Sequence, residues 1–283
     1  MLIEVKNLSH IFSEGMAFET TALDDISFTA SQGQFVALIG HTGSGKSTLV
    51  QHINGLLKPS SGCVLADGID LSVKSKEVMA KRHKIGMVFQ YPEYQLFEET
   101  VLRDVCFGPK NMGLGEEECI RRAKEALEIV GIDPAIKGEV SPFALSGGEK
   151  RRVAIAGVIA MEPEVLILDE PTAGLDPKGH NDILRMIKRI RQDKNLTIFF
   201  VSHNMGDVAD LADKVIVMDS GHLVMDGSPM EVFSREAELK AMGLDLPPAM
   251  SFGKRLGLTA LTMDELVERI AEKKLGAALA KEG

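Results

Sequence analysis

Nine consecutive residues, Gly40-His41-Thr42-Gly43-Ser44-Gly45-Lys46-Ser47-Thr48, have the types and spacing needed to hold a chain of phosphates. They fit G-x-x-x-x-G-K-[ST] at every fixed position. Glycines let successive backbone N–H groups curl around an anion, and the positive end of a following helix points at it. Lys46 is expected to reach the β- and γ-phosphates of a nucleotide, and the Ser47 hydroxyl to coordinate Mg²⁺. The apolar run Phe35-Val36-Ala37-Leu38-Ile39 precedes the loop, and Leu49, Ile53, Leu56 and Leu57 follow it at helical spacing. Strand, glycine-rich turn and helix in that order are the context the motif requires.

Other residues have the chemistry to complete a hydrolytic site around such a loop. Val165-Leu166-Ile167-Leu168-Asp169-Glu170 is an apolar strand that ends in two adjacent acids. Apolar on both faces, it belongs in the middle of a parallel sheet, its C-terminal end expected beside that of the Phe35–Ile39 strand, where such sheets bind ligands. Asp169 is then expected to hold the hydrated Mg²⁺, and Glu170 to orient or deprotonate an attacking water. Without a phosphate loop the same pair would read as two solvated acids. Leu196–Val201 is a further buried strand, and His203 beyond it could donate to the terminal phosphate or the water, although a single His is more usually structural. The strand Lys84–Gln90 ends on an amide, which offers an acceptor and donors; Gln90 could hold the metal or a water, or serve only the turn.

Ser146 and Glu149, three residues apart, form a capping box for a helix that runs through Val153, Ile155, Ala156 and Ile159. A cap does not call for Gly147 and Gly148, which cost helix stability, so a close approach to the backbone is expected there. A hydroxyl and bare amides at a helix start make a second phosphate site, with Ser146 and Gly148 as its ligands. Phe12, about thirty residues ahead of the loop, either stacks on a purine or belongs to the core. Ala173-Gly174-Leu175-Asp176-Pro177 is a turn before a helix lined by Ile183, Ile187 and Ile190.

The elements that must position these groups alternate strand and helix, which is the pattern of an α/β domain. Between about Phe97 and Met161 the strand pattern stops, and Ile120, Ala123, Leu127 and Val130 recur at helical spacing, so residues 97–161 read as a helical insertion. Leu2–Val5 and Ala22–Ala30 are expected strands around a loop, Ser13–Thr21, and Lys214–Met218 with Leu223–Met225 an expected closing hairpin. The character changes near Leu244: Pro247-Pro248 signals a linker, and Thr262 caps a helix carrying Leu266, Val267 and Ile270. Residues 1–243 are therefore read as one domain and 244–283 as a small helical extension that must pack on that domain or on a partner.

Composition narrows the classes. No apolar run is long enough to span a bilayer, so a membrane role must come through a partner. The N-terminus alternates like a strand and does not read as a signal peptide. Cys63, Cys106 and Cys119 are odd in number and lack a C-x-x-C pair, which argues against a disulfide framework or zinc site and for a reducing cytosol. A net charge of −9 gives no general attraction to nucleic acid, and none is expected as a partner.

Taken in order, Gly40–Thr48, Gln90, Leu145–Glu149, Leu166–Glu170, Ala173–Asp176 and His203 resemble the ATP-binding cassette (ABC) ATPases over roughly the first 235 residues. The resemblance implies a P-loop NTPase of the ABC type: a mostly parallel central sheet, an antiparallel β subdomain, a helical insertion and a small C-terminal extension. It implies ATP and Mg²⁺ as cofactors and a head-to-tail dimer, each nucleotide lying between the phosphate loop of one subunit and the Ser146–Glu149 helix start of the other. Phe12 would contact adenine and Asp176 would couple the two sites.

Tyr91-Pro92-Glu93-Tyr94-Gln95-Leu96-Phe97, Asp104–Pro109, Ser141-Pro142-Phe143 and Arg151–Gly157 look most like the second ATPase type of energy-coupling factor importers for vitamins or metal ions, as does Phe18–Leu23. That likeness implies a second ATPase subunit, identical or not, a transmembrane coupling protein, a substrate-binding membrane protein, and a peripheral position on the cytoplasmic face of the membrane. The extension after Leu244 would then serve dimerisation. Glu149 departs from the pattern, whose signature usually ends in Gln, and its charge near a phosphate could slow closure. The competing readings are a cassette ATPase acting on ribosomes or nucleic acid, a different ABC importer, and a non-hydrolysing nucleotide-dependent module. Those acting on ribosomes usually carry paired cassettes or a long coiled coil, and neither is present.

Overall fold

The computed structural model describes residues 2–16 and 18–282, with side chains described as far as Lys274. Strands β1 (Ile3–Phe12), β2 (Thr20–Ala30), β3 (Phe35–Ile39), β4 (Ser61–Ala66), β5 (Ile69–Asp70), β6 (Ile85–Val88), β7 (Val165–Asp169), β8 (Thr197–Val201), β9 (Lys214–Asp219) and β10 (His222–Gly227) divide between two sheets. One has the order β10-β9-β3-β8-β7-β6, parallel from β9 to β6 with β10 antiparallel at the edge. The other, β2-β1-β4-β5, is antiparallel throughout. β3, β7 and β8 are buried at every residue, as their uninterrupted apolar runs require in a sheet covered on both faces.

Register levels the strand tips. Leu38 stands opposite Val201, and Val201 opposite Asp169, so the residues that follow these strands leave the same edge of the sheet at the same height. The expectation that the Glu170 strand adjoins the phosphate-loop strand needs correcting: β8 lies between β3 and β7. A central position for β7 requires a partner on both sides, and β8 and β6 supply them.

Helix α1 (Lys46–Ile53) starts in the phosphate loop and packs Leu49, Val50 and Ile53 between the two sheets, against Leu8, Leu23 and Ile26 on one side and Leu38 and Phe199 on the other. α2 (Lys76–His83) follows, capped by Ser75. It has no apolar stripe to read in the sequence, since Val78 is its one buried residue. The helical region comprises α3 (Val101–Asn111), α4 (Glu116–Ile129), α5 (Pro134–Lys137) and α6 (Gly147–Ile159), joined to the other face of the large sheet by a core that includes Val105, Ala123, Leu127, Val153, Ile155 and Leu166.

α7 (Pro177–Lys194) covers that face too, and α8 (Met205–Leu211), α9 (Pro229–Ser234), α10 (Glu236–Ala241), α11 (Pro248–Arg255) and α12 (Met263–Glu282) complete the chain. A third core joins Ile39 and Val217 to Val208, Phe233, Leu239, Leu244, Leu246 and Met250, so the apolar packing passes residue 243 without a break. β1 runs seven residues beyond the expected Val5, because a bulge near Asn7, at φ +46°, breaks the alternation on which the shorter expectation rested.

The smaller sheet presses on the phosphate loop. A Cβ on Gly45, at φ +99°, would lie 2.6 Å from the Ala22 carbonyl oxygen of β2, whereas one on Gly43, at φ +83°, would meet nothing within 4 Å. Gly43→Ala is expected to cost only the left-handed backbone penalty of about 1–2 kcal/mol. Gly45→Ala adds an overpacking cost of about 1–3 kcal/mol. Urea denaturation of the nucleotide-free variants checks this, and coincident midpoints would contradict the packing of the loop against β2.

Candidate active site

The loop between β3 and α1 holds its lysine close. Lys46 is 5% exposed, and its ammonium donates to the carbonyls of Gly40 and His41, both at 2.8 Å, and more weakly to Ser44 Oγ at 3.4 Å. Burial pulls its pKa below the ordinary lysine value, while Glu170 and Asp169 pull the other way. Gly40 must be glycine, since at φ +153° its Cβ would sit 2.2 Å from the Met218 carbonyl oxygen. Thr42, Gly43 and Ser47 face outward from the loop, Gly45 and Thr48 are half-buried, and Ser44 is sealed. His41 Nε2 bonds Asp219 at 2.8 Å, tying the loop to the end of β9.

Around this loop the levelled strand tips deliver their polar groups. Ser47 Oγ donates to Asp169 Oδ2 at 3.2 Å. Asp169 is 8% exposed; burial raises its pKa above the carboxylate norm, against the pull of the Ser47 hydrogen bond and Lys46. Beside it, Glu170 is held by both oxygens: His203 Nε2 lies 2.7 Å from Oε1, and Gln90 Nε2 donates to Oε2 at 2.7 Å. Glu170 itself has φ +49°, a conformation that costs a non-glycine residue free energy and recurs at functional sites.

The structure therefore brings together Lys46, Ser47, Gln90, Asp169, Glu170 and His203. Gln90 and His203, expected on a metal ion, a phosphate or a water, both bond Glu170 here. Gln90 keeps its carbonyl oxygen as an acceptor for a cation. The donor set, two hard oxygens at Ser47 and Asp169 with a third at Gln90, fits Mg²⁺ held with several of its waters, and the exposed loop at Thr42 and Gly43 leaves room for phosphate.

Phe12, Ser146, Gly148 and Asp176 are not part of that cluster. Phe12 ends β1, 43% exposed, with its ring edge-on to His10 at 4.4 Å. Ser146 caps α6 and, with Gly148, stands at an exposed helix start. The Ser146 hydroxyl donates to Glu149 at 2.8 Å, and Lys137 lies 3.3 Å from the same carboxylate group. Bonds from the Ser146 amide and hydroxyl, together with Lys137, hold the Glu149 carboxyl down to about 2. Asp176 caps α7 through the Gly179 amide at 3.2 Å.

Two groups had no individual role in the sequence reading. Arg151, 2% exposed on α6, forks onto Glu93, and Asp219 anchors His41. Arg151 stands in the charged run Glu149-Lys150-Arg151-Arg152, so nothing in the sequence singles it out as buried, and nothing in the spacing marks Asp219.

Neutralising Asp169 separates stability from chemistry. Its raised pKa means that the folded chain binds this proton more readily than the unfolded chain, so stability falls as pH rises from the ordinary carboxylate value through the raised one. At neutral pH and without nucleotide, Asp169→Asn should melt above the wild type, with the gap closing as pH falls through that window. A lower melting temperature for the variant at neutral pH would refute the assignment.

Comparisons with known proteins bear on this geometry. The ABC transporter family profile matches residues 23–173. The energy-coupling factor transporter ATP-binding protein EcfA2 of Clostridium tetani is 52% identical over 274 residues, covering 97% of this chain and 95% of its own length. The EcfA2 protein of Clostridium perfringens is 51% identical, covering 97% and 96%. Among solved structures, cbiO1 of Clostridium perfringens, part of the ABC transporter complex cbiONQ, superimposes with TM-score 0.73 and 41% identity over 85% of this chain and 94% of its own. The ATP-binding cassette MJ0796, a dimer in a post-hydrolysis state with ADP and Pi, gives TM-score 0.70 and 28% identity over 80% and 98%.

Proposed function

This chain belongs to the ABC transporter family, and from that premise we propose that it is the ATP-hydrolysing subunit that powers an energy-coupling factor importer for vitamins or metal ions. The observation that carries the chemistry is Glu170, fixed at both oxygens beside a phosphate loop and a buried carboxylate. The loop amides from Gly40 to Thr48 and the Lys46 ammonium bind the β- and γ-phosphates of ATP. Ser47, Asp169 and Gln90 would hold Mg²⁺, which would supply neutralisation of phosphate charge. Glu170 orients a water for in-line attack, and His203 fixes the carboxylate and donates toward the charge that develops.

Phe12, exposed at the end of β1, takes the adenine, and Ser146 with the Gly148 amide completes the site from a second subunit in a head-to-tail dimer. The exposure of Phe12 and Ser146 supports that arrangement, as does the dimeric neighbour. Asp176, at the head of α7 and shortly after Glu170 in the chain, links the two sites. The second ATPase is a paralogue or an identical copy.

Among the described residues no helix is long and apolar enough to cross a membrane. Attachment to the cytoplasmic face therefore runs through a transmembrane coupling protein, which carries the substrate-binding membrane protein with it. Tyr94 at 84% exposure and Phe97 at 55%, with Phe107 stacked edge-on to Phe97, offer that protein an apolar grip at the border of the helical region. Residues 97–161 act as the subdomain that grips it, and the extension from residue 244 contributes to dimerisation.

Glu170→Gln in the assembled complex should lower ATP turnover by about 10²-fold or more while nucleotide affinity stays within about twofold. Retained turnover would exclude Glu170 as the group that orients the water. Tyr94→Ala combined with Phe97→Ala should reduce co-purification with the membrane subunits while leaving ATP binding intact. Undiminished recovery of the complex would place the grip elsewhere.

A further inference from the structure

Arg151 is among the largest fully buried side chains of the protein, and every bond it makes reaches into a segment that touches the site. Its Nε and Nη2 fork onto Glu93, at 3.1 and 2.8 Å. Its Nη1 donates to the carbonyls of Pro171 and Ala173, at 3.1 and 2.7 Å. Pro171 directly follows Glu170, and the Ala173 amide donates back to the Glu170 carbonyl at 3.1 Å. The turn that carries Glu170 in its left-handed conformation is thus closed from within by its own hydrogen bond and from outside by the guanidinium.

The other end of the fork completes a ring. Glu93 lies in a short turn, Pro92–Gln95, three residues after Gln90, whose amide donates to Glu170. From Glu170 the path runs through Gln90 to Glu93, across the fork to Arg151, and back through Pro171 and Ala173 to Glu170. Tyr91, at φ +54°, lies against the neighbouring Gly174, and the Arg151 guanidinium sits 6.0 Å from its ring centroid. The same segment carries Tyr94 and Phe97 outward. Burial by itself would raise the Glu93 carboxyl, and the Arg151 guanidinium more than offsets it, so Glu93 ionises below its ordinary value and the pair stays charged.

We propose that Arg151 is a positioning residue for hydrolysis: it holds the Glu170 turn in register with the Tyr91–Phe97 segment, so that what grips that segment sets the placement of the catalytic carboxylate. The inference rests on the proposed role of Glu170 in orienting the water. A planar fork with several donors at fixed angles suits the task, and lysine, a single point charge, cannot fork onto Glu93 and bond the Pro171 and Ala173 carbonyls at once. Gln90 alone could not do it, because one amide bond at the tip of a side chain leaves the backbone of the Glu170 turn free to shift.

The test uses the complex with its membrane subunits and three variants: Arg151→Lys, Glu93→Gln, and the two combined. Glu93→Gln keeps the side-chain shape, so it stands if Arg151→Lys does not assemble. Each single variant should lower kcat for ATP by about ten- to a hundredfold, the range that a misplacement of about 1 Å produces, with KM changed less than about twofold. The double variant should be no slower than the slower single variant, because one ring can be opened only once. The inference is overturned if Glu93→Gln keeps kcat within about twofold of wild type, or if kcat and KM both change in step with melting temperature, as in a general loss of packing. Glu170→Gln assayed in parallel keeps the two readings apart: if it stays active, the role of Glu170 fails; if it is inactive while Glu93→Gln is normal, only the positioning role of Arg151 fails.

Discussion

A lysine ammonium and a carboxylate, Lys46 and Asp169, share a nearly dry corner at the edge of one sheet with Glu170 at its mouth, and the rest of the protein is arranged so that they can stay there. Removing Lys46 and Asp169 from water is unfavourable, and the two pKa values move in the directions that burial dictates. Loop carbonyls, the Ser47 hydroxyl and mutual attraction offset part of that cost. The remainder is borne by the parallel sheet, whose register leaves the strand tips no other place to put these groups. Such a corner is better matched to an anion and a hard cation than to itself, which is a physical reason for it to bind both.

Glu170 shows the same economy at the level of a single residue. It occupies a left-handed backbone conformation, and three neighbours from separate elements hold it: Gln90 after β6, His203 after β8, and the guanidinium of Arg151 through the turn. Strain of this kind persists only where the surroundings overdetermine the geometry. Here the surroundings include the segment that carries Tyr94 and Phe97 to the surface, so a conformational cost at the centre is supported partly from the periphery.

Much of the site was legible in the sequence because its chemistry fixes both residue type and spacing. A phosphate loop tolerates few substitutions between Gly40 and Thr48, and a strand buried on both faces announces itself as an apolar run, so that two acids at its end, Asp169 and Glu170, stand out beside that loop. The fork between Arg151 and Glu93 was not legible. The two residues stand 58 positions apart, and each alone looks like a surface charge. α2 escaped because a helix with one buried side chain has no periodicity to read, and β1 was cut short because a bulge interrupts its alternation. The expected adjacency of β3 and β7 failed for a topological reason: strand order is set by crossovers, which leave little trace in local pattern.

The unbroken core across residue 243 bears on how this protein can be divided. Leu244, Leu246 and Met250 share one cluster with Phe233, Val208 and Ile39, and Gly206, three residues after His203, lies under Pro248. A fragment ending where the cassette-like sequence fades would bare an apolar surface beside the helix that follows His203, inviting aggregation. The shortest autonomous piece must run through α11, and the extension is in that sense part of the cassette's own foundations.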